Sequence, residues 1–588
     1  MIKPAHTAVC LLLGWLASTS LAFAGSLDFA SGSWYDPQRN GEGFVVQVLS
    51  DESALVTWFT YPAEGEPGRQ AWLIGQGAVS GNRIVIDAMQ RPAGATFGPD
   101  FDPADVVREH WGSLELTFTD CNTAAADWSG PPAFGSGSME LARLSYIDDV
   151  ECEAGTAPQP DRVIAGRSGA WYDPNHDGEG WMLELLGDGR AVVYWFTYDD
   201  QGQQAWLIGV GTIEGKTFWV DDMRLPHGTQ FGDAFRAEDI VMDAWGRFGF
   251  LFDDCAMARM RYTSVDERFG EGVLQPVQLA GLAATSCDEP PPVPPLNGGT
   301  WRMSTEMSSA ISESASASAG GYVYTGGGFG GFTNFERFNP VSGAIQQLPS
   351  TPGQRHHPMM ASDGAKLYMA GGFQSKLGLD NPGNNLWQFD PAQNAWTELT
   401  PMPQQRGAGA ALYWLNRIWV VGGEGIGNHI QSFDLETGSW ELFPGDQRLV
   451  VDHMQAVTFE NELWWLGGRN NTTSAQVMIW NPVTREWREG PSMKYPRAGL
   501  AAKVVQGQII VVGGEVIDFI PGLVQPTMEV FAPGAADWVP GPGSPVPVHG
   551  TNGAEINGLL VLPGGSDIAG DTSNNRAVQI YTPAPGEP

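Results

Sequence analysis

Three groupings of side chains in this sequence are able to do chemistry. Asp173-Pro-Asn175-His-Asp177-Gly178, followed by Glu184, has the D-x-[DN]-x-[DN]-G-x5-E spacing that wraps oxygen ligands around calcium, with the glycine allowing the tight bend. The flanks read as strands, not as the two helices such a loop normally joins, so a plain β-turn is the preferred reading and calcium the alternative. Further along come Arg355-His356-His357, Arg406, Asp452-His453, Arg469-Asn470-Asn471, Arg497 and His549. Guanidinium forks can clamp a carboxylate, and amide and imidazole groups can bond hydroxyls. The third grouping is the cysteines. No G-x-S-x-G elbow, H-E-x-x-H pair or phosphate loop is present.

Positioning these groups falls to a long, acidic, turn-dense chain. Its 588 residues suggest three or four domains. With 76 Gly, 42 Pro and 23 Trp it reads as all-β. Acidic residues outnumber basic ones 67 to 32, a formal charge of −35, which argues against nucleic acid or an anionic membrane as partner. Residues 1–24 read as a signal peptide, with Lys3, an apolar run from Ala8 to Leu21, and Ala22-Phe23-Ala24 as the cleavage site. That run is shorter than a membrane span needs, and no other segment is long and apolar enough. The expectation is a soluble exported chain, secreted or periplasmic. The short leader and the preference for Arg over Lys point to a bacterial source. Cleavage removes Cys10, leaving Cys121, Cys152, Cys255 and Cys287, an even set suited to two disulfides.

The N-terminal half repeats itself. SGSWYDPQRNGEGF at 31–44 recurs as SGAWYDPNHDGEGW at 168–181, VTWFTY at 56–61 as VYWFTY, and QAWLIGQG at 70–77 as QAWLIGVG. Trp34 and Trp171 are 137 residues apart, while Trp72/Trp206, Trp111/Trp245 and Cys121/Cys255 are 134 apart. Each unit has its own two cysteines, which predicts Cys121–Cys152 and Cys255–Cys287. Short strands between Gly, Asp and Pro turns predict two small antiparallel barrels or sandwiches, at 25–153 and 154–287. The motif is similar to repeats in secreted bacterial proteins, a resemblance that brings no chemistry with it.

A proline-rich spacer covers 288–299, and a different period fills 300–588. Glycine pairs begin at Gly327, Gly371, Gly422, Gly467, Gly513 and Gly564, at intervals of 44–51 residues. Each is followed by an aromatic (Phe338, Phe389, Phe433, Trp480, Phe531, Tyr581), and seven residues past the middle four comes Trp396, Trp440, Trp487 or Trp538. This pattern resembles kelch repeats, each one four-stranded blade, and implies a six-bladed propeller. Ile345 takes the tryptophan place in the first blade. The sixth tryptophan is missing, so Trp301 is expected to supply the outer strand of the last blade.

The kelch resemblance puts two loop sets on one ligand-binding face. One carries Glu424, Arg469, Asn470, Asn471 and Glu515; the other carries Arg355, His356, His357, Arg406, Asp452, His453, Arg497 and His549. GGRNN at 467–471 resembles the ligand-contacting loop of kelch substrate adaptors. The four arginines Arg355, Arg406, Arg469 and Arg497 suggest a local positive centre suited to a small anionic or hydroxyl-rich ligand, unless they instead bridge blades. Galactose-oxidase chemistry is excluded, since it needs a cysteine and residues 288–588 have none. His356, His453 and His549 enter alternate blades, but with no carboxylate in register no metal is expected there, and no cofactor overall. The expected function is non-catalytic recognition of a protein, carbohydrate or small anion. The alternative is a carbohydrate-active enzyme similar to sialic-acid mutarotases, with Glu424 or Glu515 as acid/base beside Arg469 or Arg497.

Overall fold

The computed structural model of the chain describes residues 27–584, apart from 51–52, 100, 151–163, 288–292, 376–377, 450, 519–521 and 571–573. The leader and its cleavage site lie outside the described residues. Among those described, helix is limited to three-residue 3-10 turns, and no helix is long and apolar enough to cross a membrane.

Eight antiparallel strands close into a barrel, the first, Gly32–Tyr35, pairing with the last, Ser136–Arg143. Trp34, Trp58, Trp111 and Phe118 fill its core. The repeated motif residues hold one another. Asp36 accepts the Gln38 N–H at 2.8 Å, buried Glu42 accepts from the Thr60 hydroxyl, and Tyr61 donates to the Gly41 carbonyl at 3.0 Å. The second unit repeats this with Asp173 and the Asn175 N–H at 2.9 Å, Glu179 and Thr197, and Tyr198 and Gly178 at 2.8 Å. The four donors of the calcium-loop spacing do not converge. Asp173 caps the turn Pro174–His176 and takes the Gln275 N–H at 2.8 Å; Asn175 bonds Asp173. Asp177 pairs with Arg108 at 3.0 Å, and Glu184 is buried against the Ser33 hydroxyl at 2.7 Å. The spacing serves a capped turn.

Nine strands from Gly169 to Gly281 curl the same way in the second unit. The counterpart of the first unit's closing strand is split into Glu271–Leu274 and Val277–Gly281, because Pro276 has no N–H for the ladder. Cys255 and Cys287 form a disulfide with their Cα atoms 6.3 Å apart. Cys121 is also disulfide-bonded, while its expected partner Cys152 lies outside the described residues.

The units dock reciprocally. The Gln70 side chain bonds the Trp206 backbone at 2.7 and 3.1 Å, and Gln204 bonds that of Trp72 at 2.6 and 3.2 Å. The Trp72 indole donates to Thr197, and the Trp206 indole to Thr60. Phe97 is buried in the second core and Phe231 in the first.

The C-terminal half is a ring of six four-stranded blades. Five blades are continuous in sequence. The sixth joins Ala554–Ile556, Leu559–Pro563 and Val578–Pro583 to Gly299–Met303, with Trp301 opposite Tyr581. Trp396, Trp440, Trp487 and Trp538 each donate an indole N–H to a backbone carbonyl one or two residues past the preceding blade's outer strand, at 2.7–3.3 Å. Trp301 makes the same bond to Pro542 at 2.7 Å, across the seam. The second barrel rests on hairpin turns of blades three and four: Arg247 donates to Leu415 at 2.8 Å and Arg261 to Val483 at 2.6 Å. Antiparallel blades put those turns opposite the loops that carry the glycine pairs, so docking leaves the other face free.

Candidate functional site at the propeller axis

Each blade is entered through a loop whose residue fourteen places before the glycine pair lies at the axis: Glu313, His357, Ala408, His453, Gly499 and Gly550. All six have left-handed backbone, with φ between 50° and 67°. They are joined head to tail by hydrogen bonds. His357 N–H bonds the Glu313 carbonyl at 2.9 Å, and Ala408, His453, Gly499 and Gly550 continue the chain at 2.7–3.1 Å. Ser314 closes it onto Gly550 at 3.4 Å. Four of the six are not glycine, so the ring holds a conformation that L-residues otherwise avoid.

Only three ring members carry functional side chains. His357 Nε2 lies 3.1 Å from Glu313 Oε2 and 3.0 Å from His453 Nε2. A cavity of about 40 Å3, lined by these three, Met454, Leu500 and Thr551 among others, adjoins them on the axis. A second layer comes from one residue earlier in the loops and one residue after the glycine pairs. His356 Nδ1 meets His357 Nδ1 at 2.6 Å, and Asp452 accepts from His453 Nδ1 at 2.6 Å. His549 bridges Glu313 at 3.3 Å and Glu515 at 3.5 Å. Arg469 pairs with Asp452 at 3.2 Å and with Glu515 of the next blade at 2.5 Å, and donates to His453 Nε2 at 3.1 Å.

Burial pushes His356 down to about 4 and also lowers His357. Burial alone would raise Glu313, but the imidazoles of His357 and His549 outweigh it and hold the carboxyl well below its usual range. Burial works against a charged His549, yet Glu313 and Glu515 beside it hold its pKa above the ordinary imidazole value. Asp452 is likewise low, with His453 and Arg469 overcoming its burial.

The other sequence candidates separate into two classes. Arg355, Arg406 and Arg497 are 3%, 1% and 0% exposed. Arg355 donates to the Gly371 carbonyl at 3.0 Å and Arg406 to the Ile426 carbonyl at 2.7 Å. Arg497 bonds the Gly513 carbonyl at 2.8 Å and ion-pairs with buried Glu529 at 2.7 Å. The positive centre expected from four arginines therefore does not form: three turn inward to tie loops together, and Arg469 is matched by two carboxylates. Glu424, Asn470 and Asn471 are exposed at the rim. Sequence reasoning expected no carboxylate in register with the histidines; Glu313 is one. It also lined up His356 with His453, although His357 is the ring member. Counting fourteen back from every glycine pair finds both.

Residues 317–514 match the family model described as the KLHDC2/KLHL20/DRC7 Kelch-repeats domain. The chain is 27% identical over 268 residues to Kelch-like protein terF of Aspergillus terreus, covering 42% of this chain and 57% of that protein, so it spans little more than half of that relative. It is 26% identical over 287 residues to N-acetylneuraminate epimerase of Pasteurella multocida, covering 46% of this chain and 72% of that one. Among solved structures, the one titled "Structure of YjhT" matches with 17% identity and a TM-score of 0.40, over 47% of this chain and 96% of that chain. Blade order, glycine-pair spacing and the family match agree: the C-terminal half of the chain is a six-bladed kelch-repeat propeller.

Proposed function

We propose that this is an exported recognition protein that takes a hydroxyl-rich ligand, a carbohydrate in the first instance, at the axial mouth of its propeller. A kelch-repeat propeller supports a binding role in itself. The observation that carries the ligand class is the matched charge around Arg469, held between Asp452 and Glu515 with His453 and His549 alongside. Such a mouth is rich in donors and acceptors but has little spare positive charge, which suits hydroxyls better than an anion. Asn470 and Asn471 add exposed amides beside it. Export is supported by the leader sequence and by the Cys255–Cys287 disulfide. The test is a glycan array probed with the mature full-length chain. Asn470→Ala should weaken any bound glycan about five- to tenfold with an unchanged melting temperature. Absence of glycan binding, or binding insensitive to Asn470, overturns the reading.

A second reading, sugar mutarotation, is favoured by the adjacent carboxylate and imidazole of Glu313 and His357 and by the similarity to N-acetylneuraminate epimerase. Anomer exchange of N-acetylneuraminate followed by NMR, with and without the protein, tests it.

A further inference from the structure

We propose that Glu313, His357 and His453 form a binding site for one divalent first-row transition-metal ion on the propeller axis. The inference deepens the reading of the axial mouth as the working site and rests on it only for what the ion would then bind.

Arg469 has only donors, so the 3.1 Å contact from its Nη2 makes His453 Nε2 an acceptor, and the Asp452 carboxylate takes the hydrogen on Nδ1. His453 is thereby the Nδ1–H tautomer with its Nε2 lone pair turned to the axis. His357 Nε2 lies 3.0 Å from that lone pair and 3.1 Å from Glu313 Oε2. A single hydrogen on His357 Nε2 is all that holds three electron-rich atoms together, once His356 supplies the hydrogen at Nδ1. If the shared Nδ1 hydrogen passes from His356 to His357 while His357 loses its Nε2 hydrogen and His356 takes one up at Nε2, both rings stay neutral and all three atoms are freed as ligands.

The three ligand atoms lie within 4.8 Å of one another, the only such group of His, Cys, Asp and Glu among the described residues. A tetrahedron with metal–ligand bonds of about 2.0–2.1 Å has edges of roughly 3.3 Å, close to the two distances above. Two imidazoles and one carboxylate are also the donor set of metal centres that keep a position open for water or substrate. The adjoining cavity of about 40 Å3 has room for that ligand. Each first ligand is itself oriented: His453 by Asp452, His357 by His356, Glu313 by His549. The ring fixes the backbone from which all three project, so the donors come from three different blades yet stand on one rigid frame. Arg469 is the opposing feature. A metal on His453 Nε2 displaces Arg469 Nη2, while Arg469 keeps Asp452 through Nε and Glu515 through Nη1.

The experiment uses the full-length chain, stripped with a chelator and titrated with zinc chloride alone against a chromogenic competitor. One equivalent should bind. Asp452→Asn should weaken binding about 10- to 100-fold, and Glu313→Gln, His357→Ala and His453→Ala each by more than that. Arg469→Ala should bind zinc at least as tightly as the unmutated chain, since it removes a cation beside the site. Should the ligand variants fail to fold, Co2+ added to the unmutated chain should give the intense visible absorption of a four-coordinate ion. No zinc uptake, zinc uptake unchanged in the ligand variants, or the faint spectrum of six-coordinate cobalt overturns the proposal. Glycan binding is measured on the same stripped and zinc-loaded samples. Glycan bound without any zinc uptake sinks the metal site alone; zinc bound with no glycan on any array sinks the carbohydrate reading alone.

Discussion

Phe97 and Phe231 hold equivalent places in the two N-terminal repeats, 134 residues apart, and each lies in the other's barrel. Phe97 is 5.2 Å from Trp195 of the second unit, and Phe231 is 5.3 Å from Trp58 of the first. The duplication has therefore produced one folding body with two cores. Phe97→Ala should cost about 3–5 kcal/mol. Hydrogen exchange should show the loosening mainly in the second unit, around Trp195 and Trp245, although the change is made in the first. Loosening confined to residues before 150 would contradict the exchange of phenylalanines.

Trp301 closes the propeller with the same indole bond to the preceding blade that four other blades make. Trp301→Ala and Trp396→Ala should consequently destabilise the propeller by comparable amounts, about 2–4 kcal/mol each by thermal or urea unfolding. A negligible loss for Trp301 alone would show that the seam is held by other contacts.

Glu184 makes stability pH-dependent. Its carboxyl is buried, and desolvation raises its pKa in spite of bonds from Ser145 and Ser33 and the charge of Arg143. A raised folded-state pKa means that its favourable contribution is full below the ordinary carboxyl value and lost as pH rises through the folded value. Glu184→Gln removes the charge and copies the first repeat, which has Gln47 there. The variant should melt higher than the unmutated chain at pH 7, with the difference vanishing by about pH 4. A calcium role for Glu184 would give the reverse, a loss of stability seen only with calcium present.

Arg497 and Arg469 share the loop face in sequence but not in structure. Arg497→Ala leaves Glu529 buried and unpaired and should cost about 3–5 kcal/mol. Arg469 is partly exposed, so its replacement should cost less stability while altering what the axial mouth binds. Equal melting temperatures for the two variants would contradict this division.

The features read most directly from sequence were those with a stereochemical signature. Glycine pairs at positive φ and tryptophans at a constant distance set the blades, and the missing sixth tryptophan pointed to Trp301. The phenylalanine exchange was not legible, because Phe97 and Phe231 lie in turns whose destination no periodicity encodes. The arginines misled for a related reason: a guanidinium on a loop has the same sequence whether it faces solvent or folds back onto carbonyls. Glu313 was hidden because its neighbours are small and polar, and only the fourteen-residue count ties it to His357 and His453.

The hydrogen-bonded ring around the axis also bears on how such a protein changes over time. The bonds that join Glu313, His357, Ala408, His453, Gly499 and Gly550 are made by backbone alone, so the side chains of the non-glycine members take no part in holding the frame. Gly550 is confined to glycine, because a Cβ there would stand 2.9 Å from the Glu313 backbone nitrogen, whereas Ala408 shows that a non-glycine seat can be left without a functional group. Exchanging a handful of residues at this one spacing is enough to rewrite what the centre of the molecule recognises, while every blade keeps its fold.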